Sequence, residues 1–172
     1  MQTSLYSVTV PIFINHLAAL KGILQKGELH AREAGEAPEG YLAKQLAPDM
    51  FPLIRQVQAA CDAARLLPYR LTETEAPSVP DEEQTFAEAY ARIDMTLAEL
   101  AKASPEAMNA GEDATVVVKY FPGQHFTGYG YATGYAIPNF FFHLTAAYAI
   151  LRTIGVPLGK ADYIGTLPLI ND

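Results

Sequence analysis

The sequence predicts an all-α protein, an antiparallel four-helix bundle with one small β-hairpin between the third and fourth helices. Two observations lead to this fold: four long segments carry apolar residues at helical spacing, and one short run is rich in β-branched residues. A chain of 172 residues is long enough for one hydrophobic core and too short for two. We therefore expect a single domain over residues 1–172.

The first two helices follow from apolar positions three and four residues apart. We predict helix one over residues 7–32 and, after a loop or short turn, helix two over residues 50–71, with Asp49 as its cap and Pro52 in its first turn. The stripe of helix one consists of Val10, Phe13, Leu17, Leu20 and Leu24.

The second half of the chain contains two more helices and the hairpin. An acidic, proline-containing connection leads to helix three, which we predict from a cap at Asp81 to residue 103. The β-branched run TVVVKY and the following turn predict a hairpin over residues 115–127. Helix four begins between residues 131 and 138 and ends at Gly155, and the remaining tail is expected to be a loop.

Residues 114–161 contain no Asp or Glu, and seven aromatic residues lie between Tyr129 and Tyr148. A helix that is apolar all round lies at the centre of a fold or faces a second subunit. We expect a homodimer that buries this surface through helix four. The apolar run is interrupted and too short for a membrane span, so no membrane association is expected.

Composition limits the partners and the compartment. Twelve Lys and Arg against nineteen Asp and Glu give a net charge of −7, which disfavours nucleic acid as a partner. The chain has one cysteine, Cys61, and no signal-peptide pattern at its N-terminus. These features predict a cytoplasmic protein.

The candidate site residues are polar side chains on helices two and four. No two of the four histidines have the spacing of a helical metal motif, and no phosphate loop or nucleophile elbow occurs. On helix four, Asn139 and His143 lie one turn apart, and on helix two Gln58 and Asp62 share a face. We predict that these four side chains form one polar cluster inside the bundle.

Three segments resemble an uncharacterised branch of the DinB/YfiT-like helical-bundle superfamily, and the resemblance covers nearly the whole chain. They are LAPDMFPLIRQVQAACDAA, FxEAYARI and PNFFFHLTAAYAILRTIGVPLGKADYIG. The resemblance implies a four-helix bundle that is commonly homodimeric. In many members it also implies a divalent metal, such as zinc or nickel, held by one histidine of helix two and an HxxxH pair of helix four.

This chain departs from that metal pattern. Asn139 stands at the first position of the HxxxH pair, so His143 alone remains, and the nearest polar residues of helix two are Gln58 and Asp62. A metal here would have His143, Asn139, Asp62 and Gln58 as ligands. Amide oxygens bind nickel and zinc weakly, so this set is degenerate.

Two functions follow from the sequence and the resemblance. The first is a homodimeric binding or stress-response module in which the degenerate site survives as a buried polar network. The alternative is a small-molecule enzyme, such as a thiol-dependent transferase, in which His143 is a metal ligand or general base and Asp62 orients it.

Overall fold

The structure of the protein is a computed structural model that describes residues 3–170, and it is mostly helical. This confirms the all-α fold with a small hairpin. In chain order the elements are α1 (Val10–Glu33), α2 (Glu39–Leu42), α3 (Leu53–Leu71), α4 (Phe86–Leu100), α5 (Pro105–Ala110), β1 (Thr115–Val116), β2 (Phe126–Thr127), α6 (Gly128–Tyr131), α7 (Ile137–Thr153) and α8 (Lys160–Ile164).

The bundle consists of α1, α3, α4 and α7. Helix α3 packs against both α7 and α4, and α1 packs against α4, α7 and α8. The five residues of the predicted α1 stripe are all fully buried. One of them, Phe13, meets Phe140 of α7 at a distance of 4.5 Å between ring centroids. The helical spacing in the sequence therefore identified the core-facing side of α1 correctly.

The first two long helices begin three residues later than the sequence predicted. Helix α1 begins at Val10, because residues 5–9 form turns. Helix α3 begins at Leu53, and Pro52 precedes it in an extended conformation with ψ of 166°. Proline also restricts the residue before it to extended conformations, which delays the helix. The predicted cap at Asp49 is therefore wrong.

Helix α4 begins at Phe86 instead of residue 81, and its cap is Thr85. The Thr85 hydroxyl accepts a hydrogen bond from the Glu88 N–H at 3.2 Å, and the Glu88 carboxylate accepts one from the Thr85 N–H at 2.9 Å. This reciprocal capping box satisfies two free amides at once. The predicted cap at Asp81 is wrong, because that carboxylate accepts hydrogen bonds from arginines, including Arg55.

The hairpin and the fourth helix lie where the sequence placed them. Strands β1 and β2 pair antiparallel within the predicted range of residues 115–127. Helix α7 begins at Ile137, inside the predicted interval, but α6 and a π-helical turn over Ala132–Ala136 make the chain helical from Gly128 onward. Helix α7 ends just before Gly155, whose φ of +92° suits glycine.

The short helices α2, α5 and α8 also lie outside the four predicted helices. Ser104 caps α5, and Pro105 takes the first helical position, where it is tolerated. The predicted loop in the tail is wrong for α8. There the Asp162 carboxylate accepts a hydrogen bond from the Gly159 N–H and forms an ion pair with Lys26 of α1. The last two residues of that tail, 171 and 172, lie outside the described residues.

Much of the aromatic run is covered by the chain's own elements. Five of its seven rings are buried or half-buried, and Tyr129 and Phe142 remain exposed. Phe141 packs edge-on against His16, and Tyr148 packs against Tyr163 of α8. Of these seven rings, two therefore remain exposed, and Val117 and Tyr120 of the same acid-free stretch are exposed as well. Within residues 3–170, none of the helices is long and apolar enough to cross a membrane.

Candidate functional site

A cavity of about 690 Å³ lies between α3 and α7. The segment that follows β1, residues 117–120, forms its third side. Three of the four predicted site residues line it, namely Asp62, Asn139 and His143. The remaining lining includes cations and aromatic rings: Arg55, Arg70, Lys119, Phe51, Tyr120, Tyr131 and Tyr135.

A chain of hydrogen bonds fixes the ring of His143. The Gln56 amide N–H donates to the backbone carbonyl of Phe51 at 3.0 Å, so its amide oxygen must face the other way. That oxygen lies 2.7 Å from Nδ1 of His143. Because the amide oxygen only accepts, Nδ1 carries the proton and Nε2 keeps its lone pair.

The Nε2 atom of His143 opens into the cavity. It makes no hydrogen bond to the described residues, and it is not fully buried. Burial lowers the pKa of His143 below its ordinary value, and Arg55 adds to this by repelling a second positive charge. The imidazole is therefore neutral at neutral pH and presents an acceptor. The rings of Phe51 and Phe142 flank it at 6.3 and 5.2 Å between centroids.

Asp62 is bound to arginines and not to His143. Its Oδ1 accepts hydrogen bonds from Arg92 at 2.8 Å and from Arg65 at 3.0 Å. Arg92 is almost fully buried and also contacts Asp81 and Glu83. A buried guanidinium needs such partners, because an unpaired buried charge is costly. The proposed role of Asp62 in orienting His143 finds no support in these contacts.

Gln58 and Asn139 have different surroundings. Gln58 accepts a hydrogen bond from Arg55 at 2.9 Å and donates one to Glu83 at 2.6 Å, so it belongs to the arginine–carboxylate cluster. Asn139 is half-buried on the cavity wall, one turn before His143. The four predicted residues thus divide into two groups: Asn139 and His143 on α7, and Gln58 and Asp62 in the cluster of arginines.

These residues do not fit a metal ion. Among residues 3–170, no group of three or more His, Cys, Asp or Glu side chains is placed to hold one. His143 offers a single nitrogen, while Asp62 and Gln58 already have hydrogen-bond partners. Zinc and nickel sites in proteins need several nitrogen, sulfur or carboxylate ligands.

The other histidines and the cysteine lie away from this site. His16 is half-buried and His125 is exposed. His30 is half-buried and bonds to the Tyr41 hydroxyl at 3.0 Å. Burial raises the pKa of the Cys61 thiol to about 12, which makes it unreactive.

Sequence reasoning missed Gln56 and Arg92, the two residues that organise the site. Gln56 shares the buried side of α3 with Ala60 and Leu67, four and eleven residues away. Arg92 lies between Ala89 and Thr96 on the buried side of α4. In both helices the spacing of small and apolar neighbours could have identified the residue as buried, although not its partner.

The far end of the cavity is built by the helical segment before α7. Tyr131 ends α6, and Tyr135 lies in the π-helical turn, with their rings stacked at 5.7 Å. Arg70 donates a hydrogen bond to the Tyr131 hydroxyl. Because Arg70 meets Tyr131 while Gln56 meets His143, α3 and α7 run antiparallel. Single π-helical turns occur frequently at functional sites.

Comparison with known proteins identifies the family. The sequence profile described as Domain of unknown function (DUF1993) matches residues 5–164. The chain belongs to the DUF1993 family. It is also similar to a solved structure titled as a DinB family member protein from Shewanella denitrificans, with 39% sequence identity, a TM-score of 0.93, and coverage of 98% of this chain and 96% of that chain. A comparison with curated proteins finds no match.

These findings confirm the resemblance to an uncharacterised DinB-like branch. The DUF1993 match covers all four bundle helices together with the hairpin and the cavity between α3 and α7.

The arginine–carboxylate cluster of this DUF1993 protein gives a testable prediction. Replacing Arg92 by Met removes a buried cation that faces three carboxylates, and we expect a loss of about 3 kcal/mol in the free energy of unfolding. The matched control is Arg32→Met, because Arg32 is exposed and, among residues 3–170, forms an ion pair only with Glu28. Urea denaturation at neutral pH measures both, and equal effects would contradict the prediction.

Proposed function

We propose that this protein is a small-molecule binding module whose ligand occupies the cavity between α3 and α7. The observation that carries the proposal is the neutral imidazole of His143, which offers a free Nε2 to a cavity large enough for a small ligand. Ligand sites are concave, have apolar and aromatic walls and contain a few fixed polar groups. This cavity has all three features, and the function needs no metal.

The position of His143 suits recognition of a hydrogen-bond donor. Gln56 holds Nδ1, so Nε2 accepts from the ligand without rotation of the ring. The ring of Phe51, which lines the cavity nearly parallel to the imidazole, favours an aromatic or unsaturated group next to that donor.

A catalytic role is the second candidate, and the same nitrogen favours it. A neutral imidazole with a free Nε2 is a competent general base for a donor bound at this point. Binding remains the better-supported function, because the partner of Nδ1 is a neutral amide and the nearby Asp62 is bound by arginines.

Homodimer formation and a cytoplasmic location are further parts of the proposal. Phe142 and Phe51 are 57% and 49% exposed and both lie against His143, so a second copy packed there would cover two large apolar rings. The single cysteine, Cys61, supports a reducing compartment, and the net charge of −7 argues against a nucleic-acid partner.

Phenol tests the binding proposal, because it combines an aromatic ring with one O–H donor. We expect phenol to shift the NMR signals of the His143 ring and to bind more tightly than toluene, which lacks the donor. In His143→Phe the phenol affinity should fall by about threefold to tenfold, the value of one neutral hydrogen bond. Treatment with EDTA should change nothing.

The matched control for that test is His125→Phe, which alters an exposed histidine outside the cavity lining. The proposal fails if phenol and toluene bind equally, if the His143 ring signals do not move, or if both histidine variants behave alike.

Sedimentation at low micromolar concentration tests the dimer. The wild-type protein should sediment at twice the 18.7 kDa mass of the chain, and Phe142→Glu should give a folded monomer because it places a charge on the exposed ring position. Leu29→Glu is the control, since Leu29 of α1 is equally exposed at 56%. A monomeric wild-type protein would refute the dimer.

A further inference from the structure

Two cations at the far end of the cavity have no carboxylate partner. The Arg70 guanidinium lies over the ring of Tyr131, with Cζ 4.9 Å from the ring centroid, and Lys119 Nζ lies 5.1 Å from the centroid of Tyr120. Within residues 3–170, neither forms an ion pair. Both side chains line the cavity.

Arg70 and Lys119 belong to the same end of the bundle. The Glu73 carboxylate accepts a hydrogen bond from the Thr115 N–H, which ties the start of β1 to the chain just beyond Arg70. Lys119 follows β1 by three residues. This end is opposite the His143 end, because Gln56, the partner of His143, lies near the start of α3 and Arg70 lies near its end, about 21 Å further along the helix.

The carboxylates of the cavity wall do not compensate these cations. Asp62 is bound by Arg92 and Arg65, and Asp81 is bound by Arg55 and Arg92. Arg70 donates one hydrogen bond to the Tyr131 hydroxyl, its remaining N–H groups are not fully buried, and its side chain lines the cavity. The Glu73 carboxylate near this end accepts from the Thr115 N–H and, within residues 3–170, forms no ion pair with either cation. In a chain with a net charge of −7, this end of the cavity thus presents two cations without an ion pair.

We propose that the Arg70 end of the cavity is a carboxylate subsite and that the ligand is a carboxylate attached to a flat, apolar body. The planar guanidinium presents paired N–H donors that match a carboxylate. The half-buried ring of Tyr135 and the exposed ring of Tyr120 line this end of the cavity and supply the surface for the flat body. This inference rests on the proposed binding function and adds the charge of the ligand.

Benzoate is the probe for the subsite, and benzamide is its neutral counterpart of the same shape. Calorimetric titration of the full chain should show benzoate binding at least about tenfold more tightly than benzamide, since a charge-assisted hydrogen bond is lost with the amide. Arg70→Met should weaken benzoate binding by about tenfold or more, and Lys119→Met by a smaller factor. Lys160→Met is the control, because Lys160 is an exposed lysine of α8 outside the cavity lining.

The outcomes separate this inference from the binding function itself. Equal affinity for benzoate and benzamide, no benzoate binding, or unchanged benzoate affinity in both Arg70→Met and Lys119→Met overturns the carboxylate subsite. If Arg70→Met fails to fold, Lys119→Met and the comparison of the two probes still decide. The phenol measurement reports on the His143 end, so its outcome does not depend on the benzoate results.

Discussion

The burial of Arg92 is the constraint on which the site depends. Its side chain is 1% exposed, and a guanidinium in that position requires carboxylates around it. Asp62 comes from α3, while Asp81 and Glu83 come from the segment between α3 and α4. The same contacts fasten that segment, which has no regular secondary structure, against the bundle. The carboxylates of Asp62 and Asp81, which line the cavity, are therefore already paired with arginines.

This pairing of carboxylates with arginines determines which polar groups remain free in the cavity. Without a carboxylate beside it, His143 bonds to the neutral amide of Gln56, and its free nitrogen faces the cavity as an acceptor. At the opposite end, Arg70 and Lys119 remain unmatched. The result is an elongated site with a neutral acceptor at one end and positive charge at the other, which suits a small organic ligand better than a metal ion.

Periodicity predicted the four long helices, because apolar spacing reflects burial directly, and the β-branched run with its turn predicted the hairpin. It failed at the helix starts, where Asp49 and Asp81 matched a capping pattern but tertiary contacts or a proline decided the start. His143 was identified as a site residue, yet it bonds to Gln56, whereas the predicted polar cluster contained Gln58, two residues later. Two residues along a helix is a rotation of about 200°, so that choice requires knowledge of which face α7 covers. Long-range pairing of this kind is not encoded in local spacing.

The protonation of His143 tests the central claim most directly. In protein labelled with ¹⁵N at histidine, the ring shifts followed against pH should give a neutral imidazole at pH 7, with the proton on Nδ1 and a pKa below the ordinary value of about 6.5. Burial beside Arg55 and bonding to a neutral amide both require that result. A raised pKa would mean that a carboxylate such as Asp62 faces the ring, and a proton on Nε2 would mean that Gln56 donates to Nδ1. Either result would contradict the account.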